Sequence, residues 1–208
     1  MTQAFETLLD RYAELIVRTG LNIKAGQQLV ISAPLEAVPL VRRVTEHAYK
    51  AGATQVTTIY GDDEATLMRF KFARPESFDV AADWLFGGMA KAFEGGAARL
   101  AIVGEDPSLL SGQAAELVSR ANKARSFAAK PAMELISSAG IMWCVAACAT
   151  PRWAVNVFPG KSESQAVEAL WQAIFKCTRA DQPNPVEAWV KHSAALKQRT
   201  EFLNARNY

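Results

Sequence analysis

Residues 26–61 read GQQLVISAPLEAVPLVRRVTEHAYKAGATQVTTIYG, a stretch with the pattern strand, helix, strand. Residues 27–32 place Leu29, Val30 and Ile31 side by side without polar alternation, which is typical of a strand covered on both faces. Residues 55–60 are rich in β-branched side chains and predict a second strand.

A helix is predicted between these two strands, because apolar residues recur there at spacings of three and four. They are Ala37, Val41, Val44, Ala48 and Ala51. Gly52 is expected to end this helix in the left-handed conformation, which costs glycine little because it has no Cβ. Two strands joined by one crossover helix lie parallel, and a parallel sheet needs helices on both of its faces.

The rest of the chain supplies further elements of the same kind. Residues 100–103 and 141–147 are predicted as a third and a fourth buried strand, and residues 150–159 as an irregular connection. Helices are predicted at residues 3–19 (ended by Gly20), 62–72, 78–93 (with Val80, Trp84 and Met89 facing inward), 106–124, 162–175 and 184–204. The alternation predicts an α/β fold with three layers: a mostly parallel sheet of at least four strands, with helices on both faces.

Composition excludes several classes of function. The chain has 208 residues, with 23 basic against 21 acidic side chains and no basic run of five, so we expect no nucleic-acid partner. No run of eighteen apolar residues occurs, and residues 1–11 do not resemble a signal peptide, so neither a membrane partner nor export is expected. The expected compartment is the cytoplasm.

The three cysteines, Cys144, Cys148 and Cys177, are interpreted as reduced, small core residues. If Cys144 and Cys148 share the fourth strand, they lie roughly 13 Å apart at the rise of a strand. A disulfide needs Cα atoms closer than about 7 Å.

Acidic residues follow two of the predicted strands. Asp62, Asp63 and Glu64 come after the second strand, and Glu105 and Asp106 after the third. Because carboxyl ends of parallel strands meet at one edge, the two clusters could face one site and hold Mg²⁺ there. Both clusters also precede predicted helices, where acids cap the backbone and favour the dipole. We expect Asp62 and Asp63 to act as helix-start residues rather than metal ligands.

Gly160-Lys161-Ser162 is similar to the end of a phosphate-binding loop. That motif requires a glycine five residues before the Gly-Lys pair, and Val155 stands there. Ser162 with Gln165 instead predicts a helix capping box. No G-x-G-x-x-G fingerprint for a dinucleotide and no G-x-S-x-G elbow for a hydrolase occurs.

The chain has two histidines, His47 and His192, and neither belongs to a zinc-binding motif. Each lies at the flank of a predicted helix and is interpreted as a partly buried packing residue. A set of aromatic residues is interpreted as core or as an interface within a larger protein: Trp143, Trp153, Phe158, Trp171 and Trp189. From its motifs alone, the chain offers no complete active site: no catalytic, cofactor-binding or metal-ligating residue is assigned.

Nearly the whole chain resembles the amino-terminal domain of the thermophilic-type metalloaminopeptidases, the family of aminopeptidase T and aminopeptidase S. The resemblance is carried by the order and spacing of many short segments rather than by one motif. They are Tyr12-Ala13-Glu14-Leu15, Gly20-Leu21-Asn22, residues 26–31, Pro34-Leu35-Glu36-Ala37, residues 48–53, Tyr60, Trp143-Cys144, Pro151, Trp153-Ala154, Val157-Phe158-Pro159, Leu170-Trp171, Ile174-Phe175, residues 184–189, His192, Leu196, Arg199 and Leu203-Asn204.

The resemblance implies an α/β amino-terminal domain followed by a catalytic domain. That second domain holds two divalent metal ions of the Zn, Co or Mn class and removes amino-terminal residues from peptides by attack of metal-activated water. It also implies a homodimer. None of the family's metal ligands falls within residues 1–208, so none is carried over, and the chain alone is expected to be inactive.

The expected organisation is an α/β domain over residues 1–182, then a helix over 183–208 leading towards a catalytic domain that the chain lacks. This helix has no closing cap, so we expect the chain to end between elements of a longer protein. Trp189, Leu196 and Phe202 are expected to form an apolar patch that meets the second domain. The alternative is a free-standing binding domain that uses the acidic strand-end loops for Mg²⁺ or a small ligand.

Overall fold

The computed structural model describes residues 2–206. Four strands, β1 (Gln28–Pro34), β2 (Gln55–Gly61), β3 (Ala98–Val103) and β4 (Trp143–Ala147), form one sheet in the order β2-β1-β3-β4. All three neighbouring pairs are parallel. The predicted α/β class and its parallel sheet of at least four strands are therefore confirmed.

Eight α-helices within residues 2–206 surround the sheet. They are α1 (Gln3–Leu15), α2 (Val38–Lys50), α3 (Asp63–Phe72), α4 (Asp83–Glu94), α5 (Ala115–Ser137), α6 (Pro151–Val157), α7 (Glu163–Cys177) and α8 (Pro185–Asn204). None of these helices is long and apolar enough to cross a membrane. The α8 region was predicted to reach residue 208, and residues 207–208 lie outside the part that the structure describes.

One face of the sheet, here called the closed face, is covered by α1, α2 and α7. Leu29 and Ile31 of β1 are fully buried on it, as is Leu100 of β3. Trp171 of α7 stacks on Phe175 with ring centroids 5.3 Å apart, and both belong to this core. The closed face therefore carries the larger of the two hydrophobic cores.

The opposite face, here called the open face, is covered by α4 and α5. Val30 points to it, because successive side chains of a strand alternate between faces. A smaller core forms there around Phe93 of α4 and Ile136 of α5. The fourth strand was predicted to be buried, but Trp143 and Val145 of β4 are 46% and 49% exposed, so only part of β4 is buried. Helices on both faces confirm the three layers.

Two predicted helices differ from the structure. The helix predicted over residues 78–93 is a 3₁₀ turn (Pro75–Asp79) followed by α4 from Asp83. Val80 and Trp84 were predicted to face inward and are 64% and 80% exposed. Met89 does pack against the open-face core. The prediction was wrong because it assumed a single continuous helix through Val80, whose backbone is extended.

The helix predicted over residues 106–124 begins later and extends further, as α5. Asp106 caps a turn instead, and its carboxylate accepts from the Ser108 amide at 2.8 Å. Pro131 lies inside α5, where proline normally breaks a helix, so the second half of α5 was not predicted. The connection predicted as irregular over residues 150–159 contains α6.

Gly20 was predicted to end the first helix, and the helical stretch does end there; the residue with a left-handed φ is Asn22, at 46°. α1 continues into a π-helical segment (Ile16–Gly20). A Cβ at Gly20 would lie 2.7 Å from Sγ of Cys144 on β4. Glycine is required there by close approach to the sheet, not by its φ angle. Gly52, with φ 94°, does have the predicted left-handed conformation.

Candidate functional site at the carboxyl edge of the sheet

The loops after β1, β2 and β3 meet at the carboxyl edge of the sheet, where an acidic site was considered. Asp62 is the N-cap of α3, and its carboxylate accepts from the amides of Glu64 at 2.9 Å and Ala65 at 3.4 Å. These bonds satisfy two amides that the first turn of a helix leaves without partners. Asp62 therefore has the helix-start role that the sequence predicted.

The two acidic clusters do converge, and Arg152 of α6 joins them. Its guanidinium pairs with Glu64 and lies 3.8 Å from the carboxylate of Asp106. The Ser108 hydroxyl donates to Asp106 at 2.6 Å, and these bonds hold the pKa of Asp106 below its usual value. Sequence reasoning missed Arg152, although its place just after the fourth strand put it at the same edge.

Asp63 also lies at this edge, and its pKa is shifted in the opposite direction to that of Asp106. Burial raises the pKa of its carboxyl group, and the nearby carboxylates of Glu36 and Glu105 raise it further, against the lowering effects of the Asp106 backbone and Arg152. A cavity of about 230 Å³ lies beside it, lined also by Thr150.

The described acids do not form a metal centre. Within residues 2–206, no group of three or more His, Cys, Asp or Glu side chains is arranged to hold a metal ion. Asp62 is occupied by helix capping, and Glu64 and Asp106 face Arg152. This arrangement does not favour the alternative of a free-standing Mg²⁺-binding domain.

Both histidines are partly buried on helices, as predicted. His47 of α2 lies 3.0 Å from the carboxylate of Asp10 on α1. His192 of α8 lies 3.3 Å from the guanidinium of Arg179 and packs edge-on against Trp189. The two side chains thus serve separate helix contacts and do not join the acidic edge.

The remaining motif candidates are structural. The predicted capping box at Ser162 and Gln165 is present at the start of α7. Cys148 is buried, and burial raises the pKa of its thiol to about 12; Cys144 is half-buried. Cys177 is exposed at the end of α7, so its predicted place in the core is wrong.

The apolar patch predicted on α8 is only partly present. Trp189 is half-buried, and its indole Nε1 donates to the carbonyl of Thr178 at 2.7 Å, so it does not belong to an exposed patch. Leu196 and Phe202 are exposed, together with Val190 and Leu203. These four side chains are called the α8 surface below.

A second concave region, here called the open-face groove, was not predicted from the sequence. It lies between the open face of the sheet and helices α4 and α5, with a volume of about 890 Å³. Its walls are apolar apart from two serines and four basic residues, Arg99, Lys123, Arg125 and Lys130, and none of its lining residues is acidic. Arg99 comes from β3 and the other three from α5.

Comparison with known proteins identifies the protein family to which this chain belongs. The family model described as Thermophilic metalloprotease (M29) matches residues 5–208, so the chain belongs to that family. This confirms the resemblance found in the sequence.

Named relatives agree with the family. The chain is 47% identical over 205 residues to Aminopeptidase T of Thermus thermophilus, covering 99% of this chain and 50% of that protein. It is 36% identical over 205 residues to Aminopeptidase AmpS of Bacillus subtilis, again covering 99% of this chain and 50% of that protein. A solved structure, wild-type AmpT from Thermus thermophilus, matches with a TM-score of 0.91 and 45% identity over 98% of this chain and 50% of that one. The chain therefore spans about half the length of the relatives it matches.

Proposed function

We propose that this chain is the amino-terminal, non-catalytic part of a metal-dependent aminopeptidase that removes amino-terminal residues from peptides. The observation that carries the proposal is the family match over residues 5–208 combined with coverage of only half of each named aminopeptidase. One continuous α/β unit accounts for that half, with the same fold as AmpT at a TM-score of 0.91.

In this proposal the catalytic metals, two divalent ions of the Zn, Co or Mn class, belong to the other half of the enzyme. The metals would activate a water molecule for attack on the peptide carbonyl. Dinuclear chemistry needs several carboxylate and imidazole ligands that converge on both ions. The separate placement of His47 on α2 and His192 on α8 supports the assignment of this chain as the part without ligands.

The role proposed for this half is to pack against the catalytic half and to restrict access to the metals. The α8 surface supports that role through Leu196 and Leu203, which are exposed and lie seven residues apart, on one side of α8 where a partner surface could cover them. We further propose that residues 183–208 connect this half to the catalytic half. The whole enzyme is proposed to be a cytoplasmic homodimer that acts on peptides. The balanced charge of the chain supports a partner other than nucleic acid.

The proposal is tested by assaying the purified 208-residue chain on aminoacyl-anilide substrates, with and without added Co²⁺, Zn²⁺ or Mn²⁺. We expect no turnover above that of an identical purification from an empty vector. Turnover that a chelator abolishes, and that the empty-vector preparation lacks, would place a catalytic site within this chain and overturn the proposal.

The acidic edge has its own test, because Mg²⁺ binding there would revive the alternative of a free-standing binding domain. Isothermal titration of the chain with Mg²⁺, Mn²⁺, Zn²⁺ and Co²⁺ should give no stoichiometric micromolar binding. The decisive contrary result is such binding in the unmodified chain and its loss in Asp62→Ala.

A further inference from the structure

We propose that the open-face groove binds the carboxyl-terminal end of a peptide, with the terminal carboxylate at Arg99 and the last, apolar side chain between α4 and α5. The choice of a peptide as the source of the carboxylate rests on the proposed function. The preference for a carboxylate joined to an apolar group rests on the groove alone.

Arg99 supplies the first argument, because Nε of its partly buried side chain has no hydrogen-bond partner among residues 2–206. By strand register it lies between Val30 of β1 and Trp143 of β4 on the open face. Its Nε is buried and has no hydrogen-bond partner, and burial is the influence that lowers the pKa of the group. A buried guanidinium nitrogen left without an acceptor is costly, and the planar fork of the group matches a carboxylate.

The shape and lining of the groove supply the second argument. Its volume of about 890 Å³ falls within the range of ligand sites, and its walls include Met89, Met133 and Ile136. Methionine side chains are flexible and adapt to apolar groups of different shapes. The end of a peptide carries an apolar side chain next to a carboxylate. The side chain fits the apolar wall, and the carboxylate fits Arg99.

The distribution of charge supplies the third argument. Lys123, Arg125 and Lys130 surround the groove with positive charge, although Lys130 also lies 3.8 Å from Glu134 on the same helix. Clustered charge of one sign attracts an anion to a cleft. The adjoining cleft shares Arg99 and Arg125 with the groove but is lined by Asp63 and Glu105, so a second negative charge on the ligand would be repelled. A single carboxylate fits this gradient better than a multiply charged anion does.

The test is a titration of the 208-residue chain with three probes, followed by isothermal calorimetry and by amide shifts in NMR spectra. The probes are N-acetyl-Ala-Ala-Leu with a free carboxylate, the same peptide as its carboxyl amide, and hexanoate. The acetyl group blocks the peptide amine, so binding is measured without any aminopeptidase reaction, and a failure of the proposed function leaves this result unaffected.

We expect the free acid to bind, with shifts confined to the groove, and to bind about tenfold or more tightly than the amide, since a charge-assisted pair is lost. Hexanoate should bind more weakly than the peptide acid. Equal binding of acid and amide, no binding of the acid at millimolar concentration, or tighter binding of hexanoate would each overturn the proposal.

Variants locate the site. Arg99→Met should weaken binding of the acid about tenfold and leave binding of the amide unchanged, while Arg99→Lys keeps part of the affinity. Arg42→Met removes the same charge from α2, which covers the closed face, and should bind like the unmodified chain. If Arg99→Met does not fold, Ala129→Trp decides, because it places a large ring at the groove wall on α5 and should abolish binding. Full affinity in a folded Arg99→Met or Ala129→Trp variant contradicts the proposed site.

Discussion

The two faces of the sheet are built from the same four strands, but the closed face is more completely buried than the open face. On the closed face, Ile31 and Leu100 have no exposed surface, and helices from three parts of the chain cover them. On the open face, α4 and α5 cover Val30 but leave Trp143 and Val145 half exposed. The difference indicates that stability resides mainly on the closed face, whereas the open face carries the groove for which binding is proposed.

The largest expected effect separates two neighbouring residues of β1. Ile31→Asp would bury an unpaired charge in the closed face and should cost about 4 kcal/mol or more, enough to prevent folding. Val30→Asp should also destabilise the fold, by up to several kcal/mol. Its loss should be smaller than that of Ile31→Asp, because Arg99 neighbours Val30 on the open face and can pair with the new carboxylate. Urea unfolding of both variants measures the difference, and equal losses would contradict the comparison of faces.

A pair of tryptophans tests the same contrast without introducing charge. Trp171→Ala on α7 should cost about 3–5 kcal/mol, because it opens a cavity in the closed-face core. Trp84→Ala on α4 should change the free energy of unfolding by about 0.5 kcal/mol or less, since the side chain is 80% exposed. Denaturant midpoints report both values; a large loss in Trp84→Ala would mean that the open-side helices are more tightly packed than described.

The next effect concerns how α1 is held to the sheet. The Tyr12 hydroxyl donates to the carbonyl of Ala147 at 3.2 Å and accepts from its amide at 2.9 Å. Tyr12→Phe should cost about 1–3 kcal/mol, because the carbonyl and the amide of Ala147 would both lose this partner in a partly buried place. Thermal unfolding provides the measurement, with Tyr49→Phe on the exposed surface of α2 as a milder control. Equal losses in the two variants would show that the closed face does not depend on this link.

The smallest expected effect is a change with pH in the unfolding temperature of variants at the carboxyl edge of the sheet. The folded pKa of Asp63 is raised, so its favourable contribution is present below its ordinary pKa and is lost as the pH rises through the raised value. Asp63→Asn should therefore unfold at a slightly higher temperature than the unmodified chain near about pH 7, and the gap should close near about pH 3.

Asp106→Asn is the matched control, and its sign is opposite. The folded pKa of Asp106 is lowered, so its contribution is present above the ordinary pKa and is lost as the pH falls. This variant should unfold at a lower temperature at neutral pH. The same sign for Asp63→Asn and Asp106→Asn would show that the two acids share one environment.

Much of the fold could be predicted because its signals are local. The buried run at Leu29, Val30 and Ile31, the helical spacing from Ala37 to Ala51 and the caps at Asp62 and Ser162 each depend on a few adjacent residues. The prediction failed where local signals conflicted, as at Pro131 inside α5, or where one period was carried through a turn, as at Val80 and Trp84.

The sequence by itself determined the strand–helix–strand unit, the parallel sheet, the helix starts at Asp62 and Ser162, and the family. Only the tertiary structure decided which face is closed, that Arg152 joins Glu64 to Asp106 and that Gly20 makes room for Cys144. It also decided that Nε of Arg99, at the groove, is buried without a partner among residues 2–206. The physical reason is distance along the chain. Periodicity and capping act within one or two helical turns, whereas these contacts join residues that only the order of the strands and the packing of the helices bring together.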